Sequence, residues 1–391
     1  MDIEARIKRR QRRNGEPRLI QDYESISPVV HIEEPADRGP VLERLLDHLD
    51  PVFDGQLPPN AYVYGPCGSG KSAVITALFA NLEQLPTEQQ AIIHTTTRAQ
   101  PPTSPSFVYV NARETASEFA FYHAVLDALV DDSVPEHGIG TETLKSRLHD
   151  LVREQRTGIV IAVDHIGEPE SIQAPALVDL FAGLPSNVSW LAIGRDDPST
   201  TELTRYTAES ISIDRYQRQM LVDVLMTRTS NGLAQQGLDH GQARHIADWA
   251  DGNAHDALAA LFIAAELAEE RGQDRITQAN VDAAIAEVPD PCVSLGVVLS
   301  LPTNRQTVLR ELIDLEESER SSVTATTEAI ASAQSVDLSA GTVKRFLYEM
   351  AESGVVDRVE ATVTNGQGRP PSRVEPRFPP TAFRRLYDLQ Q

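Results

Sequence analysis

The octapeptide GPCGSGKS, Gly65 to Ser72, sets glycines and a Lys-Ser pair at the spacing G-x-x-x-x-G-K-[ST]. Glycines let successive backbone N–H groups turn inward around phosphates, a lysine reaches the β/γ oxygens, and a hydroxyl holds Mg²⁺. Lys71 and Ser72 stand at those two positions, and Gly65, Pro66, Cys67, Gly68, Ser69, Gly70 and Ala73 complete the loop. The apolar stretch Ala61 to Tyr64 precedes it as a strand, and Ala73 to Asn81 continues as a helix. Strand, loop and helix in that order imply a nucleoside triphosphate with Mg²⁺ as ligand.

A second chemistry lies near the C-terminus. A helix opening at Ser339 as N-cap buries Val343, Phe346, Leu347 and Met350 at i, i+3, i+4 and i+7 and stops at Gly354. Its other face carries Arg345 and Tyr348, flanked by Thr342 and Lys344, types that reach phosphates and base edges. From Arg358 onward six arginines (358, 369, 373, 377, 384 and 385) face three acids, Glu360, Glu375 and Asp388. The tripeptide Gly368-Arg369-Pro370 is suited to a minor groove, and Arg369 and Arg373 join the candidate DNA contacts.

The elements that position these residues follow from periodicity. Short apolar strands at Ala61 to Tyr64, Phe107 to Asn111, Ile159 to Asp164, Trp190 to Gly194 and Ile211 to Ile213 alternate with helical stretches. That alternation predicts an α/β fold with a parallel sheet, its ligands beyond the carboxyl ends of the strands. A helical section from Ala112 to Leu151, broken near Pro135 and Gly138 to Gly140, is longer than a crossover needs. From Tyr216 to Val288 the pattern turns all-helical, a separate lid, and Pro289 and Pro291 then mark a linker. Thr303 with Gln306 forms an expected capping box for a helix carrying Val308, Leu309, Leu312 and Ile313, and a second helix is expected over Thr324 to Ala333. With strands at Val355 to Val363 and Val374 to Phe378, the C-terminal unit is expected to be a winged helix-turn-helix. The domain boundaries expected are a basic arm at 1–28, a nucleotide-binding base at 29–214, the lid at 215–288, a linker at 289–302 and the winged helix at 303–391.

Composition sets further limits. A chain of 391 residues, 41% of them apolar, has room for two or three cores. No apolar run approaches the ~18 residues of a membrane span, and a cytoplasmic location is expected. Cys67 and Cys292, far apart in sequence, suggest neither a disulfide framework nor a metal site. The net charge of −22 would repel a phosphate backbone. However, only four of the 35 basic residues are lysine (Lys8, Lys71, Lys145 and Lys344), and the acids are dispersed. That pattern fits a salt-rich cytoplasm in which repulsion is screened. Residues 1–20 are basic nonetheless, with Arg6, Lys8, Arg9, Arg10, Arg12, Arg13 and Arg18.

Phosphate loop, helical insertion, helical lid and C-terminal winged helix, in that order, resemble the archaeal Orc/Cdc replication initiators within the AAA+ ATPases. The matching stretches are NAYVYGPCGSGKSAV (60–74), FVYVNARET (107–115), IDRYQRQMLVDVLMTR (213–228) and LSAGTVKRFLYEMAESGVV (338–356). The resemblance implies ATP or ADP with Mg²⁺, origin DNA as partner, and helicase or other initiator paralogues as further partners.

The chain departs from the family at three places. The strand that ends Asp-Glu in the family ends Asp164-His165 here, so the Mg²⁺-supporting Asp164 is kept and the water-orienting glutamate is lost. The next strand is followed by Arg195 where the family has an asparagine that senses the γ-phosphate, and the lid arginine position is His255. Glu168 or His165 could replace the missing carboxylate, although Glu168 is three residues further along. Arg205 is the candidate finger for a neighbour's site, and Arg38 lies in the segment resembling the signature ahead of the phosphate loop. The function expected is an ATP- and DNA-binding initiator with nucleotide as a switch and slow or negligible hydrolysis. The alternatives are a nucleotide-gated transcription regulator and a protein-interaction module that does not touch DNA.

Overall fold

The structure is a computed structural model and describes residues 19–31, 38–92, 105–115, 117–154, 158–168, 171–360 and 372–390. The chain divides into two compact units, one formed by His31–Tyr216 and the other by the chain up to Val30 together with Gln217–Gln391.

The first unit is built on a five-stranded sheet in the order β2-β3-β4-β1-β5, every pairing parallel. Helix α1 is Gly39–Leu49, and β1 (Ala61–Tyr64) runs through the phosphate loop into α2 (Lys71–Ile92). After β2 (Ser106–Asn111) come α3 (Glu118–Asp127) and α4 (Thr141–Glu154), separated by the stretch containing Pro135 and Gly138. Then follow β3 (Ile159–Ile166), α5 (Ala174–Ala182), β4 (Val188–Gly194), a 3-10 turn Glu202–Tyr206 and β5 (Glu209–Ser212). The five expected strands all form, with ends shifted by at most two residues.

Ile159 through Val163 are completely buried, because helices cover both faces of the sheet. One core packs β3, α3, α4 and α5 around Phe121, Tyr122 and Trp190, and the other packs α1 and α2 around Leu45, Ile75 and Phe79. Each such side chain contributes ~1.5–3 kcal/mol on burial. The strand register decides where the loops meet. Tyr64 pairs with Gly194 of β4 and Ser212 of β5, and Ile166 of β3 also pairs with Gly194. The segments leaving β1, β3 and β4 are thereby brought side by side.

The second unit contains the lid and the C-terminal elements. The lid helices are α6 (Arg218–Gly232), α7 (His240–Trp249), α8 (Ala254–Glu270) and α9 (Gln278–Glu287). Helix α8 is buried on nearly every side, which its alanine-rich, almost uncharged first three turns allow. Reciprocal capping boxes Asp239/Gln242 and Thr277/Asn280 start α7 and α9. After them come α10 (Leu295–Leu299), α11 (Thr303–Asp314), α12 (Val323–Ala331), α13 (Ala340–Glu352), the antiparallel ribbon β6 (Val356–Glu360) with β7 (Ser372–Pro376), and α14 (Pro380–Gln390). Three helices followed by a two-stranded ribbon have the order of a winged helix-turn-helix.

Several local details refine these expectations. Within the segment expected as a basic arm, Leu19, Ile20 and Ile26 are buried, and Glu269 Oε2 accepts the Leu19 and Ile20 N–H groups at 2.7 and 3.1 Å. The linker is partly helical, since Leu295, Val297 and Val298 give it an apolar face to bury. The capping box at Thr303 does not form. Gln306 instead donates from Nε2 to the Leu299 and Leu301 carbonyls, tying down the turn before the helix. Helix α14, not foreseen, buries Ala382, Phe383 and Leu386.

Candidate functional site

The phosphate loop needs its glycines for close approach. A Cβ on Gly65 would lie 2.1 Å from the Ile213 carbonyl oxygen, and one on Gly70, where φ is +82°, would lie 2.5 Å from Tyr216 Oη. Lys71 Nζ donates to the Gly65 and Pro66 carbonyls at 2.7 and 2.8 Å. Burial is the main force pulling its ammonium down to about 8, and the positive charge of Arg195 adds to it against the opposing pull of Asp164. Arg38 is buried, lies 3.6 Å from the Tyr216 ring centroid and donates from Nη2 to the Ser69 carbonyl.

Asp164 sits beside this loop and is 1% exposed. Tyr109 Oη donates to its Oδ2 at 2.7 Å and the His165 N–H to its Oδ1 at 2.6 Å. Burial pushes the carboxyl upward, but the His165 charge and hydrogen bonds from Ser72, Tyr109 and His165 together hold it below the usual aspartate value. The hydroxyl of Ser72 and the carboxylate of Asp164 thus meet. A hydroxyl and an ionised carboxylate are suitable donors for Mg²⁺, so the residues present fit a metal-nucleotide ligand.

The end of β3 explains the altered dipeptide. An extra residue is accommodated between Val163 and Ile166, and His165 takes a φ of +64°. The bulge turns His165 toward Glu168, with Nδ1 3.5 Å from Oε1. Glu168 is 4% exposed and lies between two guanidiniums: Arg113 approaches Oε2 at 2.7 Å from Nε and 2.6 Å from Nη2, and Arg195 approaches Oε1 at 2.5 Å. Burial raises its pKa, but the His165 hydrogen bond and the charges of Arg113 and Arg195 outweigh it and bring it to about 2. The alternative in which Glu168 orients a water is therefore disfavoured. Its oxygens are already held by cations, and a carboxylate of such low basicity is a poor proton acceptor.

The structure thus brings Arg38, the phosphate loop, Ser72, Asp164, His165 and Arg195 together in one unit. Tyr109, Arg113 and Tyr216 belong to the same cluster and were missed. Arg113 stands within the matching stretch that ends NARET, but only the spacing of β2 against β3 shows that it meets Glu168. Arg205 lies apart on the 3-10 turn, 75% exposed, with Glu202 3.8 Å away. His255 opens α8, where its Nε2 accepts the Leu295 N–H at 3.1 Å and its Nδ1 lies 3.0 Å from Asp256 Oδ1. Cys292 joins them with donor atoms within 4.8 Å of one another, one donor short of a four-ligand structural zinc site.

On α13 the apolar stripe is buried as expected, and Arg345 is 65% exposed. Lys344 Nζ lies 5.9 Å from the Tyr348 ring centroid, and the Arg358 guanidinium stacks over the same ring at 4.7 Å. The excess of arginines beyond residue 358 is largely neutralised. Arg373 pairs with Glu375, Arg377 with Asp357 at 3.6 Å, Arg384 with Asp314 at 2.6 Å and Arg385 with Glu266 at 3.7 Å. Arg369 and the Gly368-Arg369-Pro370 tripeptide lie outside the described residues. No helix among the described residues is long and apolar enough to cross a membrane.

A five-stranded parallel sheet in this order, with a phosphate loop after β1 beside the central β4, and a separate set of lid helices have the organisation of an AAA+ fold. Residues 34–192 match the AAA ATPase domain, and residues 222–286 match the Cdc6 AAA+ ATPase-type lid domain. The chain is 26% identical over 284 residues to ORC1-type DNA replication protein 10 of Halobacterium salinarum, covering 67% of this chain and 64% of that protein. It is 24% identical over 309 residues to ORC1-type DNA replication protein 1 of Sulfolobus acidocaldarius, covering 76% and 74%. Among solved structures it is similar to the Aeropyrum pernix ORC1 protein in complex with DNA, with a TM-score of 0.60, 22% identity and 95% and 97% of the two chains covered. The chain thus carries an AAA ATPase domain followed by a Cdc6-type AAA+ lid domain and is similar to archaeal ORC1-type DNA replication proteins.

Proposed function

We propose that the protein is an ATP- and DNA-binding initiator-type protein of DNA replication whose nucleotide acts as a switch and is hydrolysed slowly or not at all. One observation carries the reading: an intact phosphate loop lies beside the end of β3, where the nearest spare carboxylate, Glu168, is clamped by Arg113 and Arg195. A bound nucleotide with Mg²⁺ supplies a concentrated negative charge at the loop. Lys71 would hold phosphate oxygens and Ser72 and Asp164 would hold the metal, while Arg38 fixes the loop through the Ser69 carbonyl. Loss of a positioned base costs ~10²–10⁴ in rate. His165 turns its Nδ1 toward Glu168 and Asp164, at 3.5 and 3.7 Å.

The DNA partner is supported by a helix face on which Lys344 and Arg345 are exposed and Thr342 and Tyr348 half-buried, and by the similarity to ORC1-type DNA replication proteins. Arg358 joins that face, whereas Arg373 is tied up by Glu375. An acidic, lysine-poor protein in a salt-rich cytoplasm gains little from counterion release, so recognition rests on base contacts and groove shape.

The test is retention of a tiled library of the organism's own genome by the purified protein in high-potassium buffer, with ATP, ADP or no nucleotide. Selective retention of a few intergenic repeats, altered by nucleotide, supports the reading, and mapping to replication origins instead of promoters supports the initiator role. The absence of selective retention in any condition would overturn it in favour of a protein-docking role for the winged helix.

A further inference from the structure

The carboxylate of Asp164 is held at both oxygens. The His165 N–H donates to Oδ1 at 2.6 Å, and Tyr109 Oη donates to Oδ2 at 2.7 Å. The first donor is a backbone group of the β3 bulge. The second is a side chain from a different strand, and only its hydroxyl makes the bond.

The pairing of β2 with β3 explains the reach. Asn111 lies level with Asp164 and Tyr109 level with Ala162, so Tyr109 starts two residues short of Asp164 on the same face of the sheet. Diagonal neighbours on one face are within reach of an aromatic side chain. The Tyr109 ring packs against the core formed with α1 and α2, which fixes the direction of its hydroxyl. Asn111, the level neighbour, is committed elsewhere: its Nδ2 donates to Glu114 Oε1 at 2.6 Å, and its Oδ1 accepts the Arg113 N–H at 3.2 Å. The Ser72 hydroxyl completes the group, within hydrogen-bonding reach of both Asp164 and Tyr109.

We infer that Tyr109 is a positioning residue for the divalent cation, setting the plane of the Asp164 carboxylate so that nucleotide affinity responds to Mg²⁺. The inference rests on the nucleotide-binding reading of the loop given above. A carboxylate held at one oxygen can swing about its last bond, whereas donors on both oxygens fix its plane. A phenol is protonated at neutral pH and donates without competing for the metal as a charged ligand would. Asp164 is 1% exposed, so bulk solvent does not stand in for a lost donor. Partners that orient a metal ligand without touching the metal are worth roughly 10- to 100-fold in metal affinity.

The experiment is calorimetric binding of ADP to the full chain across a Mg²⁺ titration that begins in EDTA, for the wild type and Tyr109→Phe. The substitution keeps the ring and its packing and removes the hydroxyl alone. The Mg²⁺ concentration needed for half of the gain in ADP affinity should rise roughly 10-fold or more, while ADP affinity in EDTA stays within about twofold. Should Tyr109→Phe fold poorly with Asp164 short of a donor, Asp164→Ala compared with Asp164→Ala/Tyr109→Phe gives the second reading. With no carboxylate to position, the two should have the same Mg²⁺ requirement. An unchanged requirement in Tyr109→Phe, an equal loss of ADP affinity with and without Mg²⁺, or a further change on the Asp164→Ala background would overturn the proposal and leave the nucleotide-binding reading in place. A wild-type chain that binds ADP with no gain from Mg²⁺ would do the same. A wild-type chain that binds no nucleotide would remove that reading and the proposal with it.

Discussion

The guanidinium of Arg38 stacks on the ring of Tyr216 at 3.6 Å, joining the two ends of the nucleotide-binding unit at the phosphate loop. Arg38 donates to the Ser69 carbonyl, and Tyr216 Oη lies against Gly70, so the pair braces the loop at consecutive residues. Arg38→Ala removes both the stack and a charged hydrogen bond. We predict a roughly 10-fold or greater loss of nucleotide affinity, with the nucleotide-induced rise in Tm reduced accordingly. Tyr216→Phe keeps the stack and should change affinity by less than about threefold. Fluorescence titration and thermal melts check both.

Lys71 gives a pH prediction. Its ammonium is lowered from 10.5 to about 8 in the folded protein, chiefly by burial. The unfolded chain therefore binds more protons between those values, and this group makes stability rise with pH from about 8 to 10.5. Ligand binding runs the opposite way. A bound phosphate favours the charged lysine, so affinity should fall as pH passes about 8, with proton uptake on binding. Calorimetry at pH 8.5 in buffers of different ionisation enthalpy measures that uptake. It should vanish in Lys71→Ala together with most of the binding.

Glu168 governs the acid side. Its pKa of about 2, against 4.5 unfolded, means that its contribution to stability is present above pH 4.5 and lost as pH falls toward 2. With ~1.4 kcal/mol per unit, that contribution is on the order of 3 kcal/mol. Glu168→Gln should flatten the acid limb of a stability-versus-pH curve measured by denaturant titration.

On the C-terminal unit, exposure and partner distance divide the arginines: Arg345 is 65% exposed with Glu349 3.6 Å away on its own helix, whereas Arg384 is 41% exposed and joins Asp314 of another helix at 2.6 Å. Arg345→Ala and Arg358→Ala should weaken binding to specific duplex more than to random duplex. Each phosphate contact that is lost should flatten the salt slope by about one. Arg384→Ala should leave DNA affinity within about twofold and lower the Tm, because Arg384 is paired to Asp314. Equal effects of all three on DNA would contradict the division.

Periodicity and motif spacing make much of this molecule legible in its amino-acid sequence. The strand-loop-helix at Ala61 to Asn81, the helical lid and the stripe of Val343, Phe346, Leu347 and Met350 are local patterns, and local patterns survive folding. Long-range pairing is what periodicity does not carry. The acids that neutralise Arg384 and Arg385 lie 70 and 119 residues upstream, as Asp314 and Glu266, so counting charges along the chain overstates the basic face. Glu168 reads as a displaced catalytic carboxylate because its partners Arg113 and Arg195 come from two other strand ends. The bulge at His165 is equally hidden, since a positive φ has no signature in a His-Ile dipeptide.

On the proposed function, this site binds nucleotide without turning it over at an ordinary rate. The most direct measurement is the fate of γ-labelled ATP bound to the purified protein in high-potassium buffer with Mg²⁺. Near-stoichiometric ATP should be retained unhydrolysed through many minutes, with no retention in Lys71→Ala. Phosphate release near the ~1 s⁻¹ or faster typical of enzymes, abolished by Lys71→Ala, would contradict it and return a catalytic role to His165 or Glu168.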